Sequence, residues 1–278
     1  SIPAFCFAEN ATGQNVPPSY PMADTDDISA EELEQGTAAL IEEFSSIFDN
    51  EHTISDLPPI TKGLRPPFRD RVFSRQERRH SILHQKSIDY NAKQLIARGA
   101  ARLNPHSPHN IDQVRVPRTD KEGNYLGIER DRICLNMSWV NEFLEDFSHP
   151  LPKIADILDD LTQFKYYTEL DLANAFNQVK VCPELSDLLT FTTSFGKVSY
   201  LVLPYGVKFA TDAFQYAVEH HFWDCLRKIL SIYVDNMLVH SNTRKQHLAD
   251  LRTVFQRCEE GNLKLRLDKC SFGKTSLR

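Results

Sequence analysis

The chain has 278 residues, 41% hydrophobic and 25% charged, which is a globular balance. No apolar run approaches the roughly 18 residues of a membrane-spanning helix, and the opening SIPAFCFA lacks the basic flank of a signal peptide. Residues 1–60 hold 12 of the 38 acids and none of the 32 Lys and Arg, so the net charge of −6 hides a body with 26 acids against 32 bases, a net of +6. An acidic N-terminal arm thus precedes a mildly basic body, the balance that a phosphate-binding surface needs. The arm can fold against the body, bind a protein partner or stay loose. Six cysteines (Cys6, Cys134, Cys182, Cys225, Cys258 and Cys270) are scattered with no CxxC spacing. That excludes a zinc ribbon and a compact disulfide scaffold, and it makes a reduced, intracellular protein the expectation, cytoplasm and nucleus not being distinguishable. Ser1 in place of Met suggests a processed piece or a fragment of something longer.

In chain order, residues 1–28 are polar, rich in Asn, Pro, Ser and Asp, and read as a poorly ordered lead-in. Ser29 and Glu32 have capping-box spacing, with Leu33, Leu40, Ile41, Phe44, Ile47 and Phe48 following at helical intervals. They predict a helix of about 18 residues. Pro58, Pro59, Pro66 and Pro67 mark an extended linker. Ser74 and Glu77 form a second capping-box pattern, predicting a basic helix from there to a stop at Gly99. Residues 101–131 read as loop and hairpin, turning at Gly123 and Gly127.

Pro150–Leu161 places Ile154, Ile157, Leu158 and Leu161 on one helix face. Strands are expected over Lys165–Leu172 and Lys197–Leu203, and a helix over Ala210–Leu226 with Phe214, Val218, His221 and Cys225 on its apolar stripe. Leu230–Ser241 alternates about Asp235–Asn236 and predicts a tight hairpin. A helix over Thr243–Glu260 closes at Gly261, and Leu263, Leu265 and Leu267 alternate as a last strand. Mixed strands and helices with a hairpin make the class α+β.

Two acids stand out: Asp171 at a strand end and Asp235 at a hairpin tip. Such carboxylates converge when their elements are neighbours in one sheet. Paired, they bind Mg²⁺, a hard cation that completes its shell with substrate phosphates, and they can support two-metal phosphoryl transfer. The plainer alternative also stands, because Asp-Asn is a good two-residue turn and Asp171 can cap the segment that follows it.

The runs TELDLANAFNQVKV (168–181), LVLPYGVKFATDAFQ (201–215) and IYVDNMLVHS (232–241) occur in that order. They are flanked by RGAARLNPHSPHN, RICLNMSWVN, HPLPKIADILDDL and GNLKLRLDKCSF. Over roughly residues 60–272 the chain resembles the reverse transcriptase domain of the pol polyproteins of gypsy-like LTR retrotransposons. The resemblance implies a right-hand polymerase with an acidic arm (1–60), a fingers-like region (61–165) and a palm-like region with the catalytic motifs (166–278), ending where a thumb begins. It implies an RNA-directed DNA polymerase that adds dNTPs to a primer 3′-OH on an RNA or DNA template with Mg²⁺, Mn²⁺ being a substitute. By the same resemblance Asp171 and Asp235 hold the metals, and Phe176 is the aromatic gate against a ribose 2′-OH. Tyr205, Gly206 and Tyr233 contact the nucleotide, and Arg132 meets the triphosphate, with Arg118 or Lys121 as a second basic residue. Lys269–Cys270 matches a family pattern of mostly structural meaning. Singly, each of these residues also has an ordinary reading as core or surface.

The chain departs from the family at chemically costly positions. The Tyr-x-Asp-Asp box reads Tyr233-Val234-Asp235-Asn236, so the second acid is an amide and a weak metal ligand. Asn136-Met137-Ser138 stands where Asp-Tyr-Arg is common, and Phe209, Thr211 and Asp212 follow the Leu-Pro-Tyr-Gly run. With no thumb in the sequence, the expectation is weak or absent synthesis. The alternative is a catalytically dead retroelement-derived fold that binds nucleic acid or protein.

Overall fold

The computed structural model describes residues 27–49, 54–75 and 80–276. The lead-in expected over 1–28 lies outside the described residues but for its last two, as does Glu77 of the second capping-box pattern. In chain order the elements are α1 (Ala30–Glu43), α2 (Ile82–Ala97), β1 (Ala101–Leu103), β2 (Gln113–Val116), β3 (Arg132–Leu135), α3 (Ile154–Leu161), β4 (Tyr166–Asp171) and α4 (Pro183–Leu188). Then come β5 (Thr190–Thr193), β6 (Gly196–Tyr200), α5 (Ala210–His221), β7 (Leu230–Tyr233), β8 (Asn236–Ser241), α6 (Arg244–Glu260) and β9 (Ser271–Lys274). The class is α+β, as the sequence pattern predicts.

An antiparallel sheet of order β7-β8-β4-β9 carries both candidate acids. Its register follows from burial: Leu170, Ile232, Met237 and Val239 lie inside on one face, while on the other Asn236 is exposed and Tyr167 and His240 are covered. Helices α5 and α6 pack on this sheet through Phe214, Val218, Leu251, Val254 and Phe255, all fully buried. A second sheet, β1-β6-β5, backs α2, and β2 pairs with β3 as a long hairpin turning at Gly123 and Gly127. Among the described residues one large hydrophobic cluster runs through these layers from Leu40 to Leu265, and a second, small one of Leu161, Phe164 and Tyr167 lies under α3.

The acidic arm is docked over its described part. Ser29 and Glu32 close the predicted capping box, and Leu33, Leu40, Phe44 and Ile47 are buried against α6 and its surroundings. Gly36 marks a close approach, because a Cβ there would stand 2.6 Å from Leu248 Cδ1 and that side chain would have to shift. Arg252 pairs bidentately with Glu43 at 2.5 and 2.8 Å.

Several expected boundaries move. The arm helix has 14 residues, not about 18, and continues as a 3₁₀ turn, Ser45–Phe48. Ser74 caps no helix: it bridges Asn110, because Phe73 is buried and its carbonyl accepts from the Asn110 amide. Helix α2 starts at Ile82, with Ser81 Oγ accepting from the His84 amide. Helix α3 starts at Ile154, and its stripe is only partly covered: Leu161 is buried, but Ile154 and Leu158 are 55% and 51% exposed. Helix α5 ends at His221, where Phe222 leaves helical geometry. The last strand is β9, not residues 263–267. Leu265 makes a single bridge to Leu172, and Leu267 turns outward into a 3₁₀ turn.

Candidate active site

Strand pairing brings the two acids together. Asp171 ends β4 directly opposite Asn236, the first residue of β8. The Leu172 amide donates to the Asp235 carbonyl at 3.1 Å. Asp171, Asp235 and Asn236 therefore share one end of the sheet, at the spacing of cross-strand neighbours, about 5 Å. Both Asp235 and Asn236 are exposed. Among the described residues no three carboxylate, histidine or cysteine side chains converge on one point. Lys269 Nζ stands 3.2 Å from Asp171 Oδ2 and counters its charge.

The hairpin turns one residue earlier than its Asp-Asn sequence suggests. Tyr233 pairs with Asn236, so Val234 and Asp235 form the two-residue turn. Val234 takes the positive φ, 55°, a strained state for a β-branched residue. Gln215 holds it there. This fully buried α5 side chain accepts from the Val234 amide at 2.7 Å and donates to the Ile232 carbonyl at 3.1 Å and Glu219 Oε1 at 2.6 Å. The two-residue turn is thus Val234–Asp235 and not Asp235–Asn236, and Asp235 keeps a place in it.

Beside the acids, Phe176 lies in a 3₁₀ turn (Ala175–Gln178) and meets Tyr205 edge-on at 5.2 Å and Phe214 at 5.3 Å. The Arg132 guanidinium lies over the Tyr205 ring at 5.0 Å. Gly206 is required: at φ 106° a Cβ would stand 2.4 Å from the Leu135 carbonyl oxygen. Asn141 pins the same loop, donating to the Gly206 carbonyl and accepting from the Lys208 amide. Burial pushes the Tyr205 phenol above its ordinary range, against the pull of Arg132 and Arg118.

A cavity of about 230 Å³ opens here, lined by Tyr205, Asn174, Asn177 and five arginines: Arg98, Arg118, Arg130, Arg132 and Arg266. The lining includes Arg118 and not Lys121. Its acids are Glu129 and Asp131. Burial would raise the Asp131 carboxyl, yet hydrogen bonds from Arg115, Ser87 and Tyr125 hold it below the usual range. The cavity therefore favours an anion. The sequence patterns singled out Arg132 and Arg118 but missed Arg98, Arg130, Arg266 and Gln215. The signal for Gln215 was a polar residue inside a helix otherwise buried on that side.

An antiparallel sheet with two acids at one end and a basic cavity floored by Tyr205 beside them puts carboxylate ligands for a divalent cation next to an anion site. Residues 100–278 match the family model described as reverse transcriptase (RNA-dependent DNA polymerase), and the chain belongs to that family. It is 29% identical over 191 residues to the retrovirus-related Pol polyprotein from transposon 297 of Drosophila melanogaster, covering 69% of this chain and 18% of that polyprotein. It is 29% identical over 222 residues to the Pol polyprotein from transposon 412 of the same organism, covering 78% and 16%. The chain therefore spans less than a fifth of these relatives. The fold is similar to the prototype foamy virus protease–reverse transcriptase, with TM-score 0.74 at 22% identity over 90% of this chain and 32% of that one. It is equally similar, at 21% identity, to a foamy viral protease–reverse transcriptase solved with double-stranded DNA, over 90% of this chain and 42% of that one. Among the described residues no helix is long and apolar enough to cross a membrane.

Proposed function

We propose that this domain adds dNTPs to a primer 3′-OH on an RNA or DNA template, with a metal site weakened by Asn236. The observation that carries the proposal is the placement of Asp171 and Asp235 at one sheet end beside the arginine-lined cavity. The same reading divides the chain into the arm (1–60), fingers (61–165) and palm (166–278).

The donor set fits a hard divalent cation: two carboxylates, nearby backbone carbonyls and the Asn236 amide oxygen, with substrate phosphates to complete the shell. Mg²⁺ held there supplies charge neutralisation at the α-phosphate and a lowered pKa for the attacking hydroxyl. In this reading Arg132 and Arg118 bind the triphosphate, and Tyr205 and Gly206 form the floor under the nucleotide. Phe176 excludes a 2′-OH. Val234, held by Gln215, aims Asp235 and Tyr233 toward the primer end. Lys269 balances the charge of Asp171, which with Asp235 would hold the metal.

A binding-only role is the second reading. It is favoured by the amide opposite Asp171 and by the lysine already on that carboxylate. Single-nucleotide incorporation separates the two. The polymerase reading expects dNTP addition that Asp235→Ala abolishes and ribonucleotide addition that Phe176→Ala raises at least about tenfold. No addition under any metal, with primer–template still bound, would favour the second.

A further inference from the structure

The acidic arm does more than cover the back of the palm: its contacts run in a direct line to the site. The stretch Leu263–Arg266 is held on both sides. On one side the Leu265 amide donates to the Ile47 carbonyl at 2.7 Å, and Lys264 Nζ donates to the Ser46 carbonyl at 2.8 Å. Both acceptors lie in the 3₁₀ turn that follows the arm helix α1. On the other side Leu265 bridges Leu172, the Ala173 amide donates to the Lys264 carbonyl at 2.8 Å, and the Arg266 amide donates to the Asp171 carbonyl at 2.8 Å. Gln178 closes the same stretch, accepting from the Lys264 amide and donating to its carbonyl. Three residues further on, Lys269 reaches the Asp171 carboxylate.

Lys264 is the keystone. It is only 8% exposed, and burying an ammonium is costly unless it finds a partner. Its ammonium ends on the Ser46 carbonyl while its backbone is held by Gln178 and Ala173, so this one residue ties the arm's turn to the segment that follows β4. The turn is itself anchored from behind, where Phe44 and Phe48 meet Phe255 edge-on at 5.9 and 5.6 Å.

We infer that the Ser45–Phe48 turn, acting through Lys264 and Leu265, is a positioning strut that fixes Asp171 and Lys269 for the metal site. The inference rests on the reading of Asp171 as a metal-holding carboxylate. Lys264 is a positioning residue that does not touch substrate.

The test uses the full chain as wild type, Lys264→Met, Lys264→Arg and Glu43→Gln. Hydrogen exchange is followed at the Leu172, Ala173 and Arg266 amides, with the β5–β6 hairpin as internal control, and Mn²⁺ affinity is measured by electron paramagnetic resonance. In Lys264→Met the three amides exchange at least about tenfold faster while β5–β6 is unchanged, the pattern of local opening. Mn²⁺ affinity falls in parallel. Lys264→Arg restores both readouts, and Glu43→Gln, which touches only the α1–α6 contact, leaves both near wild type. Unchanged exchange at the three amides, or an equal rise in β5–β6, overturns the strut. If wild type binds no Mn²⁺, the metal reading falls and the exchange pattern alone decides whether the strut exists.

Discussion

Replacing Gln215 by Leu tests how the turn bearing Asp235 is held. The substitution keeps the side-chain volume but deletes an acceptor for the Val234 amide and a donor to the Ile232 carbonyl and Glu219. A buried amide left without its acceptor costs about 1–3 kcal/mol. The left-handed Val234 stores a further cost of about 1–3 kcal/mol that the Gln215 bond offsets, and part of it is recovered if the turn relaxes. The net expectation is a loss of about 2 kcal/mol, or roughly 4–8 °C in Tm for a domain of this size. Urea unfolding gives the equilibrium value, and exchange of the Val234 amide reports the turn directly. Gln215→Leu combined with Val234→Gly should lose less than the sum of the two single losses, because glycine needs no clamp at positive φ. A Gln215→Leu protein within about 0.5 kcal/mol of wild type would refute the reasoning. So would a Val234 amide that exchanges no faster.

Three further outcomes follow from the same contacts. Gly206→Ala forces a methyl toward the Leu135 carbonyl at an unfavourable φ, and should lower Tm and loosen nucleotide binding more than Gly123→Ala, where a Cβ meets nothing within 4 Å. Both glycines have positive φ, so the difference measures the close approach alone. Stability should fall as pH drops from about 6.5 to about 4, because burial holds His240 and His247 down to about 4 while the unfolded chain takes up protons throughout that window. The folded pKa is depressed, so the stability is fully present above 6.5. The full effect is at most about 3 kcal/mol per histidine, and Asp250, whose carboxyl burial raises, offsets part of it at the acid end. A stability flat between pH 7 and pH 5 in urea titrations would contradict this. Primer–template affinity should fall steeply with salt, with a log–log slope of about −0.9 per phosphate engaged. A slope near zero would mean that the arginines around the cavity do not form a phosphate track.

The fold was legible where local pattern and tertiary demand coincide. The alternation around Asp171 and Asp235 made both strands readable, and the stripe Leu33, Leu40, Phe44, Ile47 marked a helix with a face to bury. Which surface it buries against was not readable, because Phe255 and Arg252 lie some two hundred positions away. The second capping-box pattern failed for a related reason. Ser74 is drawn into a bridge by the burial of Phe73, and the true cap, Ser81, lacks the downstream acid that would have advertised it. At the hairpin, Asn was the natural candidate for positive φ, but β8 must bury Met237 and Val239, and that register hands the position to Val234. Of the site, the paired acids and the Phe176–Tyr205–Arg132 group came from the motifs. Lys269 on Asp171 and the arginines from three separate segments depend on how the chain returns to the sheet.

Primer extension on an oligo(dT)-primed RNA template, first with Mg²⁺ and then with Mn²⁺, reads the proposed chemistry most directly. Wild type is run beside Asn236→Asp and Asp171→Ala. Extension by wild type, strengthened in Asn236→Asp as the lost carboxylate is restored and abolished in Asp171→Ala, is the predicted result. Extension that persists in Asp171→Ala, or none in any variant although primer–template is bound, would contradict it.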